Sequence, residues 1–204
     1  MLEIKNLSIR TREPILDDFS YSFEKGKIYG MIATNGSGKT TFFRAVMGLI
    51  NKKGGIFLDS KPLRSQKNNF FYFEDTTWLN KNVTGLDYLK LIKSEWQSKQ
   101  SFEDYISYWN MGDYINLPIK KYSLGMKQRL IISMYLISEA DVLLMDEITN
   151  GLDEESREKL FVSMKEYTQR NKIIIMSSHY KEDILPICNA LITLDNRKML
   201  VSDL

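Results

Sequence analysis

Residues 32–41 read IATNGSGKTT, and this stretch decides the fold. The apolar run 27–32 (KIYGMI) precedes it, and residues 42–47 (FFRAVM) continue it as far as Gly48. A strand, a tight glycine-rich turn and a helix start, in this order, are the context of a phosphate-binding loop. The alternative interpretation is an ordinary turn that leads into an amphipathic helix.

The residue types in the loop fit polyphosphate chemistry. Gly36 and Gly38 have no Cβ, so backbone N–H groups can approach a phosphate closely. The helix N-terminus adds partial positive charge and unpaired N–H donors. Lys39 is expected to neutralise the β- and γ-phosphates, and the Thr40 hydroxyl to hold Mg²⁺. The predicted phosphate-contacting set is Ala33, Thr34, Asn35, Gly36, Ser37, Gly38, Lys39, Thr40 and Thr41.

Length and composition limit the other possibilities. The chain has 204 residues, enough for one domain over 1–204 with a sizeable core. A net charge of +2 without a basic stripe predicts no nucleic-acid partner. A single cysteine, Cys188, is typical of a reducing compartment. With no apolar run of about 18 residues and no signal-peptide core, the chain is expected to be cytoplasmic, with any membrane role acting through a partner.

Apolar patterning predicts an α/β protein. Residues 1–10 and 19–23 alternate apolar and polar positions, which predicts an antiparallel pair flanking the phosphate-loop strand. Buried apolar strands that alternate with helices predict a mostly parallel sheet with helices on both faces. The other predicted strands are residues 56–58, 69–73, 142–145, 173–176, 191–194 and 198–201.

Capping residues predict the helix starts in the middle of the chain. Thr84 opens a capping box, and Ser101 repeats the signal at the next helix, which Gly112 is expected to close. Ser123 is the predicted N-cap of a third helix within 122–129, YSLGMKQR. Gly125 in its first turn leaves the backbone open to close approach. Taken alone, this segment predicts only a capped helix.

Three polar residues follow the ends of two apolar strands. Asp146 and Glu147 come directly after residues 142–145, at the strand end where ligands bind in open α/β sheets. Asp146 is expected to hold Mg²⁺ opposite Thr40, and Glu147 to activate a water aimed at the γ-phosphate. His179 ends another strand and could hydrogen-bond the γ-phosphate. The alternatives are solvated acids and an ordinary core or surface histidine.

In combination, these segments resemble the nucleotide-binding subunit of ABC transporters along the entire chain. The matching motifs, in family order, are the Walker A loop ATNGSGKT, the signature YSLGMKQR and the Walker B run VLLMDE. The D-loop NGLD, from Asn150 to Asp153, and the switch residue His179 complete the set. The SLGMKQR form resembles small exporter ATPases, including those of bacitracin-resistance and lantibiotic-immunity systems.

The resemblance implies an ATPase that uses ATP and Mg²⁺ to drive an exporter whose membrane-spanning subunits are separate chains on the inner face of the membrane. It implies a head-to-tail homodimer, in which Ser123 and Gly125 of one copy reach the γ-phosphate held by the other. Glu147 would be the general base and Asp153 would contact the opposite site. Residues 78–137 would form the inserted helical subdomain that docks the membrane subunits. The rival interpretations are a soluble ABC ATPase and a regulatory ATP-binding module.

The sequence departs from the family pattern at several motif positions. Leu124 and Met126 replace the first glycine and the glutamine of LSGGQ. Asp75 falls at the position of the Mg²⁺-contacting glutamine, with Glu74 as the alternative; an ionised acid can ligate Mg²⁺ but cannot donate a hydrogen bond. Thr11 stands where the family has an adenine-stacking aromatic residue. The first glycine of the Walker A pattern is also replaced, by alanine.

Overall fold

The computed structural model describes residues 1–34, 36–178 and 181–204. The strands of these ranges are β1 (Leu2–Arg10), β2 (Pro14–Phe23), β3 (Ile28–Ile32), β4 (Lys53–Leu58), β5 (Lys61–Pro62), β6 (Phe70–Tyr72), β7 (Val142–Met145), β8 (Ile173–Ser178), β9 (Ala190–Asp195) and β10 (Lys198–Asp203). The α-helices are α1 (Lys39–Val46), α2 (Gly85–Glu95), α3 (Phe102–Tyr108), α4 (Leu124–Ile137), α5 (Glu154–Gln169) and α6 (Lys181–Ile184).

A six-stranded sheet, in the order β10-β9-β3-β8-β7-β6, carries the candidate site. Neighbouring strands from β9 to β6 pair in parallel, and β10 joins the edge antiparallel to β9. In the register, Ile32 pairs with Ser178 and Met145 with Met176, so the C-terminal ends of β3, β7 and β8 meet at one edge. The predicted α/β class with a mostly parallel sheet is confirmed.

The central sheet is covered on both faces, and side chains alternate between the two sides along each strand. Leu143 of β7 and Ile174 of β8 pack in one apolar cluster with α4 and α5. Leu144 and Ile175 pack in the other, with α1 and the strands of a second sheet. This alternation is the period-two geometry of a strand, and it explains why β7 and β8 read as unbroken apolar runs.

The second sheet is antiparallel, in the order β2-β1-β4-β5. The predicted pairing of β1 with β2 is confirmed, but their predicted place beside the phosphate-loop strand is wrong, because β3 lies between β8 and β9. The alternating pattern of β1 and β2 leaves one face of each strand exposed to solvent, which fits a sheet that is covered on one side only. β4 also begins earlier than predicted, because its pairing with β1 continues back to Lys53, opposite Ser8. Gly54 lies in this part of the strand with φ +90°, and a Cβ there would lie 2.4 Å from the Asn6 carbonyl oxygen.

The helices between β6 and β7 begin at the predicted caps, Thr84, Ser101 and Ser123. The predicted end of α3 at Gly112 is wrong, because the helix ends at Tyr108. The chain turns away at Asn110, which takes φ +53°, and the N–H of Met111 bonds back to the Ile106 carbonyl oxygen. That residues 78–137 form a separate subdomain stays a prediction. Within the described ranges, no helix combines the length and apolar character needed to cross a bilayer.

Candidate functional site

The phosphate-type loop connects β3 to α1. Gly38 begins the helix in a left-handed conformation, φ +110°, and a Cβ there would lie 2.3 Å from the Ile15 side chain, so only glycine fits. Lys39 is only 5% exposed. Its Nζ donates to the carbonyl oxygen of Ala33 at 2.9 Å and approaches that of Thr34 at 3.5 Å. The loop therefore curls around the ammonium group of its own lysine.

Other loop residues present polar groups along the same segment. Gly36 takes φ +77° and has open space where a Cβ would be. The N–H of Ser37 donates to the Thr34 carbonyl oxygen, whereas its buried hydroxyl has no hydrogen-bond partner among the described residues. Thr41 is half-buried in the first turn of α1. A curled loop with a free hydroxyl and an adjacent lysine is chemically matched to phosphate oxygens. Asn35 of the predicted set lies outside the described residues.

Asp146 joins the loop to the end of β7. Its Oδ2 accepts a hydrogen bond from the Thr40 hydroxyl at 2.5 Å, and its Oδ1 accepts one from the Ser177 hydroxyl at 2.5 Å. The carboxyl is 9% exposed, and burial raises its pKa while these two hydrogen bonds act in the opposite direction. A buried carboxylate against a threonine hydroxyl offers the oxygen ligands that a hard divalent cation prefers.

Glu147 follows on the same loop with a strained backbone, φ +50°. Its N–H donates to the Ser177 hydroxyl at 2.9 Å. Its Oε2 accepts from the Asn150 amide at 3.0 Å, and its Oε1 lies 4.0 Å from the Nζ of Lys39. Ser177 therefore links both acidic residues, because the same hydroxyl donates to Asp146 and accepts from Glu147.

These groups open into a cleft of about 270 Å³. Its lining residues are Thr40, Phe73, Glu74, Asp75, Thr76, Leu124, Gln128, Ile131, Asp146, Glu147, Ile148 and Asn150. The structure therefore brings together the predicted Walker A threonine, both Walker B acids and both candidates for the glutamine position. No group of three or more metal-ligating acids, histidines or cysteines occurs among the described residues.

Asp75 and Glu74 differ in what they already bind. Asp75 is exposed, and its carboxylate accepts from the Thr77 N–H at 2.6 Å, which caps a short 3₁₀ turn. Glu74 is buried and forms a two-pronged ion pair with Arg44 of α1, which raises the pKa of the arginine. The Tyr72 hydroxyl also donates to Glu74. Asp75 is therefore the more accessible of the two, and its role as a metal ligand stays a prediction.

The start of α4 is closed by its own residues. The Ser123 hydroxyl accepts from the Met126 N–H at 3.2 Å, and the Ser123 N–H lies 3.4 Å from the Met126 sulfur. A Cβ at Gly125 would lie 3.0 Å from the Gly151 carbonyl oxygen, so this glycine permits close packing of α4 on the loop after β7. Of the described residues, Leu124 lines the cleft from this turn, whereas Ser123 and Gly125 do not.

Asp153 has both carboxylate oxygens engaged within its own chain. Oδ1 accepts from the Ser156 N–H at 2.8 Å as the N-cap of α5, and Oδ2 accepts from Arg129 of α4 at 2.7 Å. The hydrogen bonds from Ser156 are the main reason that the pKa of Asp153 is lowered. Thr11 is exposed at the β1–β2 turn, bonded to the Glu13 carbonyl oxygen. His179 lies outside the described residues.

The sequence motifs predict no particular role for several residues of the site. Ser177 lies at the end of β8, and Gln128 of α4 donates to the carbonyl oxygen of Ile148 at 2.9 Å. Ile15 covers Gly38, and Arg44 secures Glu74. Of these residues, only Ser177 could have been predicted from the sequence, because it ends an apolar strand and the ends of neighbouring parallel strands meet.

A phosphate-type loop between a buried strand and a helix, with an acid from a parallel strand against the loop threonine, defines a P-loop nucleoside triphosphatase. The family model described as "ABC transporter" matches residues 16–150. The chain belongs to this family of ATP-binding ATPases, which confirms the resemblance drawn from its motifs.

Individual relatives agree with the family match. The uncharacterized ABC transporter ATP-binding protein YybJ of Bacillus subtilis is 34% identical over 211 residues, covering 100% of this chain and 96% of YybJ. The lantibiotic transport ATP-binding protein SrtF of Streptococcus pyogenes is 30% identical over 188 residues, covering 90% and 82%. A solved ATP-binding subunit of an ABC transporter matches with TM-score 0.91 at 24% identity, over 100% of this chain and 90% of that one, which supports the fold alone.

Proposed function

We propose that this chain is the ATP-hydrolysing subunit of an ABC exporter, which powers separate membrane-spanning subunits through ATP-driven closure of a dimer. The observation that carries the proposal is the contact between Thr40 and Asp146, because it joins the phosphate loop to the acidic residue that follows β7, inside one cleft. Similarity to a lantibiotic transport ATP-binding protein supports a transport role, and the SLGMKQR form of the signature, which resembles small exporter ATPases, favours export.

In this proposal the loop holds the triphosphate. Backbone N–H groups from Ala33 to Thr41 surround it, and Lys39 leaves its carbonyl partners to bind the β- and γ-phosphates. Thr40 and Asp146 would hold Mg²⁺, and Asp75, which lines the same cleft, would be a further ligand. When bound, the metal neutralises charge on the phosphate oxygens. The hydrogen bond from Ser177 fixes the orientation of Asp146.

Glu147 is the proposed general base. The Ser177 hydroxyl holds its backbone, and the Asn150 amide holds one carboxylate oxygen, so the side chain is oriented from two directions. The carboxylate can then accept a proton from the attacking water. His179 is proposed to sense the γ-phosphate.

The dimer supplies the remaining groups. Ser123 and Gly125 of a second copy reach the γ-phosphate in a head-to-tail arrangement, and Asp153 contacts the opposite site. An exposed Leu124 at the helix start supports an interface at this end of α4. Because Asp153 already binds Ser156 and Arg129, its contact across the dimer would extend an existing network.

Residues 78–137 are proposed to act as the inserted helical subdomain that docks the membrane subunits, which would keep the chain on the cytoplasmic face. Large apolar side chains exposed in this segment support a protein partner. Apart from Leu124, they are Trp78, Leu91, Tyr108 and Leu117. No nucleic-acid partner is proposed.

The test is the variant Glu147→Gln. Turnover should fall by about 10²-fold or more, because general-base catalysis commonly contributes 10²–10⁴-fold. ATP binding should persist, and an ATP-bound dimer should accumulate with Mg²⁺ and be visible by light scattering. Wild-type turnover in the purified variant would remove the role of Glu147. If the wild-type protein itself hydrolyses ATP slowly and Glu147→Gln does not lower that rate, the result would favour the regulatory ATP-binding module.

A further inference from the structure

Helix α1 carries two side chains that reach toward the cleft. Thr40 and Arg44 are four residues apart and so lie on one face of the helix. Arg44 donates from Nε to Glu74 Oε2 at 2.6 Å and from a terminal nitrogen to the other carboxylate oxygen. Such a two-pronged pair fixes both the direction and the separation of its partners. The Tyr72 hydroxyl, 3.1 Å from Oε2, fixes Glu74 further.

The pair lies in a strongly acidic part of the molecule. Glu74 is 9% exposed and lines the cleft beside Thr40, directly before Asp75. The cleft is lined by four acidic residues, Glu74, Asp75, Asp146 and Glu147. The nearby cations are Arg44 and Lys39, and the nucleotide itself is polyanionic. A buried carboxylate without its cation would repel the triphosphate, because charges interact strongly where water is excluded.

We propose that Arg44 is a positioning residue, which cancels the charge of Glu74 and fixes the loop that presents Asp75 to the nucleotide. This inference rests on the proposed ATP site, since both effects act on a bound triphosphate. Arg44 does not contact the phosphates in this proposal; it acts through Glu74. A lysine at this position would retain the charge but not the two-pronged geometry.

The experiment measures affinity for the non-hydrolysable analogue AMP-PNP with Mg²⁺ by calorimetry on the full chain. Arg44→Ala should weaken affinity at least about 10-fold, the effect of an uncompensated charge in the cleft. Arg44→Ala combined with Glu74→Gln should return affinity to within about 3-fold of wild type, because the repelling charge is gone. Turnover of the double variant should stay about 10-fold low with KM near normal, since the loop remains unfixed.

Two comparisons keep the result specific. Lys172→Ala removes an ion pair with Asp141 away from the cleft and should leave affinity unchanged. Lys39→Ala tests the ATP site itself. If Lys39→Ala abolishes binding while Arg44→Ala binds within about twofold of wild type, the ATP site stands and the role of Arg44 is overturned. If wild type and Lys39→Ala both fail to bind, the proposed function fails instead.

The double variant, Arg44→Ala with Glu74→Gln, tests the charge argument separately. If it binds no more tightly than Arg44→Ala, the charge argument is overturned. Should Arg44→Ala fail to fold by circular dichroism, Arg44→Lys replaces it. That variant should keep affinity within about 3-fold while lowering turnover several-fold, because an ammonium group lacks the fork geometry. Wild-type turnover in Arg44→Lys would overturn the positioning role.

Discussion

The first turns of α1 and α4 are both predicted to meet phosphate, yet the chain builds them in opposite ways. α1 begins at Gly38, which has no side chain to cap the helix, and Lys39 after it is buried. α4 begins at Ser123, whose hydroxyl caps the helix, and Leu124 after it is 52% exposed.

The difference is consistent with the proposed dimer, in which the two helix starts have different roles. The start of α1 is enclosed by Ile15 and by the Thr40–Asp146 contact of its own chain, so one copy can form a phosphate site there. The start of α4 is closed locally and presents Leu124 outward, so it is available to a second copy. The following predictions test whether the two helix starts are unequal in this way.

The largest effect is expected at the enclosed helix start. Lys39→Ala removes a buried cation, and a hydrogen bond to a charged group contributes about 1.5–3 kcal/mol, so ATP affinity should fall by roughly 100-fold. Calorimetry measures this directly, with Lys172→Ala as the control because Lys172 is a partly buried, ion-paired lysine elsewhere. Unchanged affinity would contradict the whole assignment of the loop.

Mixing variants tests whether the second helix start acts on another copy. Lys39→Ala and Ser123→Arg should each be inactive alone. Random pairing of the two should restore about a quarter of wild-type hydrolysis, since half of the dimers are mixed and each has one intact site. Coupled-enzyme kinetics over a range of protein concentration measures this recovery.

The matched control mixes Lys39→Ala with Glu147→Gln. Both residues belong to the same half of the site, so their mixed dimer has no intact site and should stay inactive. If both mixtures remain inactive, a further measurement decides whether the site is shared between two copies. Strictly linear concentration dependence, with monomeric Glu147→Gln in ATP and Mg²⁺, would exclude sharing between copies.

Ser177→Ala should have an intermediate effect on the enclosed site. It removes the hydroxyl that holds both Asp146 and the Glu147 backbone, and an unsatisfied buried group costs about 1–3 kcal/mol. Turnover should fall by about 10-fold, and thermal stability should also fall. Ser133→Ala is the control, because it removes another buried serine, whose hydroxyl donates to the Arg129 carbonyl oxygen within α4. Equal turnover in the two variants would contradict the bridging role.

The smallest effect is expected at the exposed helix start. Ser123→Ala removes an N-cap and should destabilise the chain by about 1 kcal/mol in thermal or denaturant unfolding. Affinity of the single chain for ATP should not change, because its own cleft does not use Ser123. Ser101→Ala, another cap loss, should match it in stability. A loss of affinity comparable to that of Lys39→Ala would erase the difference between the helix starts.

The sequence by itself determined the parts that depend on neighbouring residues. The glycine-rich turn before α1, the caps at Thr84 and Ser123 and the apolar run of β7 are all local. Short-range geometry and hydrogen bonding impose each of them, so residue type and spacing predict them. The order of the motifs then indicated the family, because each motif is a short contiguous segment that can be recognised in the sequence.

Only the tertiary structure decided what meets across the chain. The separation of β1 and β2 from β3 depends on which sheet can be covered on both faces, and alternation in one strand does not specify its neighbours. Ser177 joins Asp146 only because β8 lies beside β7 in a fixed register. Arg44 meets Glu74 because α1 packs against β6, where the rings of Phe43 and Tyr72 are in contact. Arg44 and Glu74 are 30 residues apart in the chain, a contact that no spacing rule encodes.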